Sequence, residues 1–399
     1  MITVKSKALE KEVRVDREIG RFTGGEEGPT LIFMAGIHGN EPSGVFALLH
    51  ILNYLRENIF GFRGEIIALS GNLQALEKGQ RYIAQDLNRI WQAERIETIK
   101  KNGSGQEPGS ADFLEQVEIY RRLQTIFDNS KPPFYLIDLH TTSSHSCPFI
   151  TIGDTIRNRE YALNFPVPII LGIEEFLDGP LLSYINEVGP VAMGFEAGHH
   201  DALSSIENHI SFIWLALVFA GCINQESIPF FAEHLKRLKQ SNAFNKRVFE
   251  IVYRYGVKKN EDFTMLPGYF NFQSIHRGQL LARSTGKDIP APRGGRIFMP
   301  LYQKQGDDGF FVIAEIRMFW LRLSAKLRRL DVDRFLMWLP GIKPLNDDPH
   351  TFRVNRRIAR WLVVDFFHLL GFRRMLSTES HHFFTRRKYD IREPEIYSF

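Results

Sequence analysis

Gly36-Ile-His-Gly-Asn-Glu41 is followed a hundred residues later by Ile137-Asp-Leu-His140. His38, Glu41 and His140 together form a two-histidine, one-carboxylate set. That is the donor set of a catalytic zinc site, in which three protein ligands leave a fourth position open. The same donors also suit Mn, Fe or Co, so the residues point to a divalent metal before they point to zinc. Two further patches carry chemistry. Arg81-Tyr-Ile-Ala-Gln-Asp-Leu-Asn-Arg89 gathers two arginines, an Asn and an Asp in a stretch too irregular for a helix face. Guanidinium forks bind carboxylates in two-point fashion, although an Arg–Asp pair holding a solvated loop uses the same residues. Val191-Ala-Met-Gly-Phe-Glu196-Ala-Gly ends an apolar run on a lone carboxylate, which reads as a general base or as a helix cap.

These residues need elements to position them. Thr30–Ala35 is an apolar run ending in Gly36, the pattern of a buried strand that feeds a glycine loop. Pro42-Ser43 then opens a run with Val45, Leu48, Leu49, Leu52 and Leu55 at helical spacing. Phe134–Leu139 is a second buried strand with His140 at its carboxyl end. Open α/β sheets bind ligands beyond the carboxyl ends of their strands, and both histidines fall there. Asp138, two residues before His140, is placed to orient a ligand histidine.

Taken jointly, the four patches resemble the succinylglutamate desuccinylase/aspartoacylase family in order and approximate spacing. The resemblance covers roughly residues 15–240, extends loosely over 245–315, and does not reach the last eighty residues. It implies an α/β fold with a zinc carboxypeptidase-like three-layer core and mixed sheet. It further implies that His38, Glu41 and His140 hold one Zn2+ per chain. Glu196 would move the proton, Arg81 would steady the oxyanion, and Asn88, Arg89 and Thr142 would bind an N-acyl amino acid. The implied activity is hydrolysis of the amide bond of that small molecule. A metallocarboxypeptidase acting on a peptide C-terminus is the alternative on the same site. A non-catalytic interaction protein working through the C-terminal extension is a third reading.

Two departures from the family stand out. Animal aspartoacylases carry an arginine ten residues before the catalytic glutamate, where it meets the acyl carboxylate; this chain has Asn186 there. The same enzymes bring a tyrosine from their second domain, which Gly306–Phe311 lacks, although Tyr302 is nearby. An acyl group less acidic than that of N-acetylaspartate is therefore expected.

At 399 residues and 44% hydrophobic content, the chain is long enough for two domains and an appendage. Residues 1–243 alternate strands with amphipathic helices, including Phe113–Asp128 and Ala202–Ile223. Residues 244–316 read as a small β domain, with short strands at Val248–Arg254, Phe270–Phe272, Leu280–Ser284 and Ile297–Leu301. Residues 317–399 form a basic, aromatic-rich extension, expected to be helical as in Arg356–Leu370. It holds 17 Lys+Arg and 9 Asp+Glu, a net charge of +8 that leaves −4 for residues 1–316. Basic plus aromatic character suits a membrane surface or nucleic acid, but acids interspersed with these cations argue against both, and packing on the enzyme or a homo-oligomer contact is expected. Between Gln92 and Ser110, Lys101–Gly109 is a polar loop, either a surface excursion or a lid. Two cysteines, Cys147 and Cys222, fit a reducing cytoplasm better than a disulfide framework. Cys147 reads as a packing thiol, and His199-His200 and His381-His382 are left out of the ligand set. No signal peptide is evident, and the longest apolar run, Ile210–Ile223, suits a buried helix rather than a membrane span.

Overall fold

The computed structural model describes residues 1–58, 61–102, 110–258, 260–345, 348–356, 363–378 and 380–397. Its centre is a mixed sheet of 11 strands. Glu26–Ala35 pairs in parallel with Arg63–Ser70 on one side and Phe134–Thr142 on the other. Phe134–Thr142 in turn pairs in parallel with Val191–His199. Phe149–Ile152 then runs antiparallel to Val191–His199 and leads to Ile169–Leu171.

The three-layer arrangement follows from strands that are apolar on both faces. Along the first strand Leu31, Phe33 and Ala35 face one helical layer, packing with Val45, Leu48, Leu52 and Trp214 from helices Ser43–Asn58 and Leu203–Phe219. The alternate residues Ile32 and Met34 face the other, with Ile119, Leu123 and Ile126 of helix Ala111–Asn129. All five strand residues are fully buried. Period-two alternation thus commits one strand to two cores at once.

Val248–Gly256, Asp308–Ile316, Gly295–Phe298 and Ser274–Ile275 continue the same sheet beyond Ile169–Leu171. Phe263–Met265, Leu280–Ser284 and Lys287–Pro290 form a separate three-stranded antiparallel sheet. The strand expected at Phe270–Phe272 is a turn, with Phe272 at φ +68° and its ring buried. An apolar triplet there reflects core packing rather than strand pairing.

The C-terminal part carries the helices Met318–Arg329 and Val363–Leu369 and adds a four-stranded antiparallel sheet. Residues 357–362 of the helix expected at 356–370 lie outside the described residues, as do 103–109 of the polar loop. The start of that loop region is instead a helix, Ala93–Asn102, whose Ile96 and Ile99 are buried. No helix of the described residues is long and apolar enough to cross a membrane.

Candidate metal centre

The turn after the first strand works because two glycines let it pass close to its neighbours. Gly36 has φ +75°, and a Cβ on Gly39 would lie 2.0 Å from the Ala75 backbone. This tight path delivers His38 and Glu41 to the carboxyl end of the sheet. His140 and Glu196 arrive from neighbouring parallel strands as register partners, so both side chains emerge on one face.

His38, Glu41 and His140 are the one group among the described residues able to hold a metal, with donor atoms all within 4.8 Å of one another. His38 Nδ1 lies 2.9 Å from Glu41 Oε1, and His140 Nδ1 lies 3.2 Å from Glu41 Oε2. Each ring also meets a second carboxylate through Nε2: Asp86 at 3.1 Å from His38, and Asp138 at 2.7 Å from His140. A neutral imidazole carries one N–H. If both rings donate it from Nε2, each Nδ1 turns a lone pair toward a Glu41 oxygen, and a cation between them relieves the contact. The donor set therefore fits a metal ion. Without a cation, the same field favours imidazolium at His140: burial pushes its pKa down, but Asp138 and Glu41 raise it well above the usual value. Burial likewise pushes Glu41 up, and both histidines outweigh it, holding the carboxylate well below its ordinary range.

Asp86 and Asp112 fix the arginine-bearing loop, and the sequence reading assigned neither of them a role at the site. Asp86 Oδ2 accepts from Arg81 Nη2 at 3.0 Å, while its Oδ1 accepts from the Asn88 backbone N–H at 2.9 Å. Asp112, fully buried, accepts from the backbone N–H groups of Ile83, Ala84 and Gln85 and from Asn72 Nδ2. Its place in the first turn of a helix is a capping signal, which hides its hold on a distant loop.

Arg81, Asn88, Arg89, Thr142 and Glu196 all line one pocket with the three metal-binding candidates, of about 140 Å³. Several have partners already. Arg81 sits 3.6 Å from Glu41 and is paired with Asp86. Arg89 donates to Asp308 at 2.8 Å, Asn88 Oδ1 accepts from the Leu181 N–H, and the Thr142 hydroxyl donates to the Ser144 carbonyl. Glu196 is buried, and its Oε2 has no hydrogen-bond partner. Burial pushes its pKa up to about 8.

Two more residues complete the wall. His200 Nδ1 is 2.7 Å from the Thr141 hydroxyl, and Nε2 is 3.3 Å from Gln303 Oε1, which also accepts from Asn40. Gln303 is among the residues that the 299–311 segment brings to this pocket and Tyr302 is not; the Tyr302 hydroxyl donates to the Leu266 carbonyl. Asn186 lines the far side and accepts from Asn158. Cys147 is a packing thiol, its pKa pushed up to about 12 by burial.

Residues 27–199 match the model of the succinylglutamate desuccinylase/aspartoacylase catalytic domain. The succinylglutamate desuccinylase of Pseudomonas aeruginosa strain LESB58 is 30% identical over 116 residues, which is 29% of this chain and 32% of that protein. That of Photorhabdus laumondii is 31% identical over 143 residues, 35% of this chain and 42% of its own length. The chain thus aligns with less than half the length of these curated relatives. Among solved structures, the succinylglutamate desuccinylase/aspartoacylase of Rhodobacter sphaeroides superposes with a TM-score of 0.54 at 17% identity, over 74% of this chain and 88% of that one. The product-bound ectoine utilization protein of Ruegeria pomeroyi gives 0.51 at 19% identity, over 74% and 87%. At such identities these two likenesses speak for the fold.

Proposed function

From the premise that the chain belongs, through residues 27–199, to the succinylglutamate desuccinylase/aspartoacylase family, we propose that it is a zinc-dependent hydrolase of the amide bond of an N-acyl amino acid. The observation that carries this is the convergence of His38, Glu41 and His140 with an unpartnered, buried Glu196 on one pocket.

His38, Glu41 and His140 would hold the metal, with Asp86 and Asp138 fixing the two rings through Nε2. Zinc bound there supplies Lewis acidity, polarising a carbonyl oxygen and acidifying water. Glu196 takes a proton from the attacking water and returns it to the leaving amine. A carboxyl whose pKa lies near neutrality suits both directions of that transfer. Arg81, held in place by Asp86, faces the oxygen on which negative charge develops; such a cation is commonly worth about 3 kcal/mol.

The α-carboxylate of the amino acid goes to Asn88 and Arg89, with Asp308 holding the Arg89 guanidinium in position. Thr142 adds its side chain to the same wall. The acyl group then points toward Ile152, Ile173, Leu177, Leu182 and Asn186. The arginines lining the pocket are Arg81 and Arg89 alone among the described residues, so no third cation awaits an acyl carboxylate. This favours an uncharged acyl chain over an acidic one.

A panel of N-acetyl, N-succinyl and longer N-acyl amino acids, followed by amine release, tests the reading. Faster release from uncharged acyl groups is expected. Preference for N-succinyl compounds would overturn the acyl assignment, and release only from peptides would make the protein a carboxypeptidase.

A further inference from the structure

Eight of the sixteen large apolar side chains exposed among the described residues fall within residues 318–339. Phe319 is 65% exposed, Trp320 51%, Leu330 58%, Met337 54% and Trp338 79%. They are not strewn about. Helix Met318–Arg329 packs against the 3-10 helix Val332–Trp338 and against Val363–Leu369, which adds the half-exposed Phe366. The rings of Phe319 and Trp320 lie 5.2 Å apart, and those of Phe335 and Trp338 5.4 Å apart. Exposed apolar side chains gathered on elements that pack on one another mark a candidate interaction site.

The inner side of this face is fixed. Arg328 is fully buried and donates to Asp154 Oδ2 at 2.7 Å and to the Asp154 carbonyl at 2.7 Å. The outer side therefore has one presentation. Arg317, Lys326 and Arg334 are exposed in the same segment, Arg322 is exposed at the edge of a cleft it lines with Ile152 and Glu160, and none of the four has an acidic partner among the described residues. The two acids of the segment, Asp331 and Asp333, are both taken by Arg386, at 3.2 Å and 2.8 Å. The face is thus apolar tips interleaved with uncompensated positive charge.

We infer that residues 318–339 dock the protein on an anionic lipid surface. Trp and Phe enter the headgroup boundary while Arg and Lys meet the lipid phosphates, as in in-plane amphipathic helices. A second copy of the chain is a poorer occupant. A two-fold contact pairs a patch with itself, which would bring two faces of the same positive charge together. Single-stranded nucleic acid is also poorer, because Leu330, Met337 and Leu339 stand among the rings, and aliphatic side chains suit acyl chains rather than base stacking.

Flotation of the full chain with phosphatidylcholine/phosphatidylglycerol vesicles, and with phosphatidylcholine alone, tests this. Binding to the anionic vesicles, weakened by salt, is expected. Phe319→Glu combined with Trp338→Glu should lower it roughly tenfold or more, and so should Arg322→Glu combined with Lys326→Glu. The thermal unfolding midpoint should stay unchanged in both. If charge reversal unfolds the helix, Trp338→Ser replaces it and should still weaken binding. Absence of flotation, or flotation indifferent to these variants, overturns the inference. So does a concentration-dependent dimer, or oligonucleotide binding, that the same variants abolish.

Discussion

Asp86 places one carboxylate oxygen 3.1 Å from His38 Nε2 and the other 3.0 Å from Arg81 Nη2. A single buried side chain thereby couples the histidine proposed to bind the metal to the cation proposed to meet the oxyanion. Burial pushes the Asp86 pKa up, but Arg81 and His38 overcome this and keep it well below the carboxylate range. Asp86→Ala should lower metal affinity by about 10- to 100-fold, as loss of an orienting carboxylate generally does. Competition with a chromophoric chelator measures it; unchanged affinity would free His38 from any dependence on Asp86.

Asp112 is the support one layer further out. Removing it in Asp112→Ala leaves three loop N–H groups without their acceptor. Each unmet donor that water cannot reach costs about 1–3 kcal/mol. A fall of several kcal/mol in urea-unfolding stability is expected, with a drop in turnover as Arg81 loses its place. A variant as stable and active as the wild type would contradict this.

Glu196 gives a pH signature in the metal-free protein. Burial pushes its folded pKa up to about 8, from an ordinary value of 4.5. The folded state therefore favours the neutral carboxyl. The stability this contributes is fully present below about 4.5 and is lost as pH rises through about 8. The unfolding midpoint of the metal-free wild type should fall between these values more than that of Glu196→Gln, which stays neutral throughout. Parallel profiles for the two proteins would refute this.

The C-terminal segment is fastened by buried charge. Arg159, Arg328 and Arg387 converge on Asp154, while Arg387 also reaches Glu174 and Glu175 at 2.9 Å. Removing one partner of a buried pair commonly costs about 3–5 kcal/mol, so Arg328→Met should destabilise the whole protein by that order. Deleting residues 317–399 would leave Asp154 with Arg159 as its one arginine of the three and would expose Ile152 and Ile156, and the product should be insoluble. A soluble truncated protein with full metal binding would show the segment to be peripheral.

Much of this was legible in the sequence because local patterns carried it. Apolar runs at 30–35 and 134–139 marked strands buried on both faces, and their carboxyl ends located His38 and His140. Asp138 could be named from its position two residues from His140, and it does hold that ring. Asp86 stood in plain view in the 81–89 stretch, but nothing local says that a carboxylate points at a histidine 48 residues earlier. Asp112 lies in the first turn of a helix, where a carboxylate ordinarily serves the helix itself, and Gln303 comes from a segment 163 residues beyond His140. The C-terminal sheet escaped because its strands pair at long range: Thr351–Asn355 meets His381–Thr385, with basic and aromatic residues that also suit helices.

The most direct measurement is metal content and amine release on one preparation of wild type and Glu196→Gln, before and after chelation and after zinc is returned. About one zinc per chain is expected in both proteins, with chelator-sensitive release restored by zinc in the wild type and loss of nearly all turnover in Glu196→Gln. Release that survives chelation, or persists in metal-loaded Glu196→Gln, would contradict the proposed function.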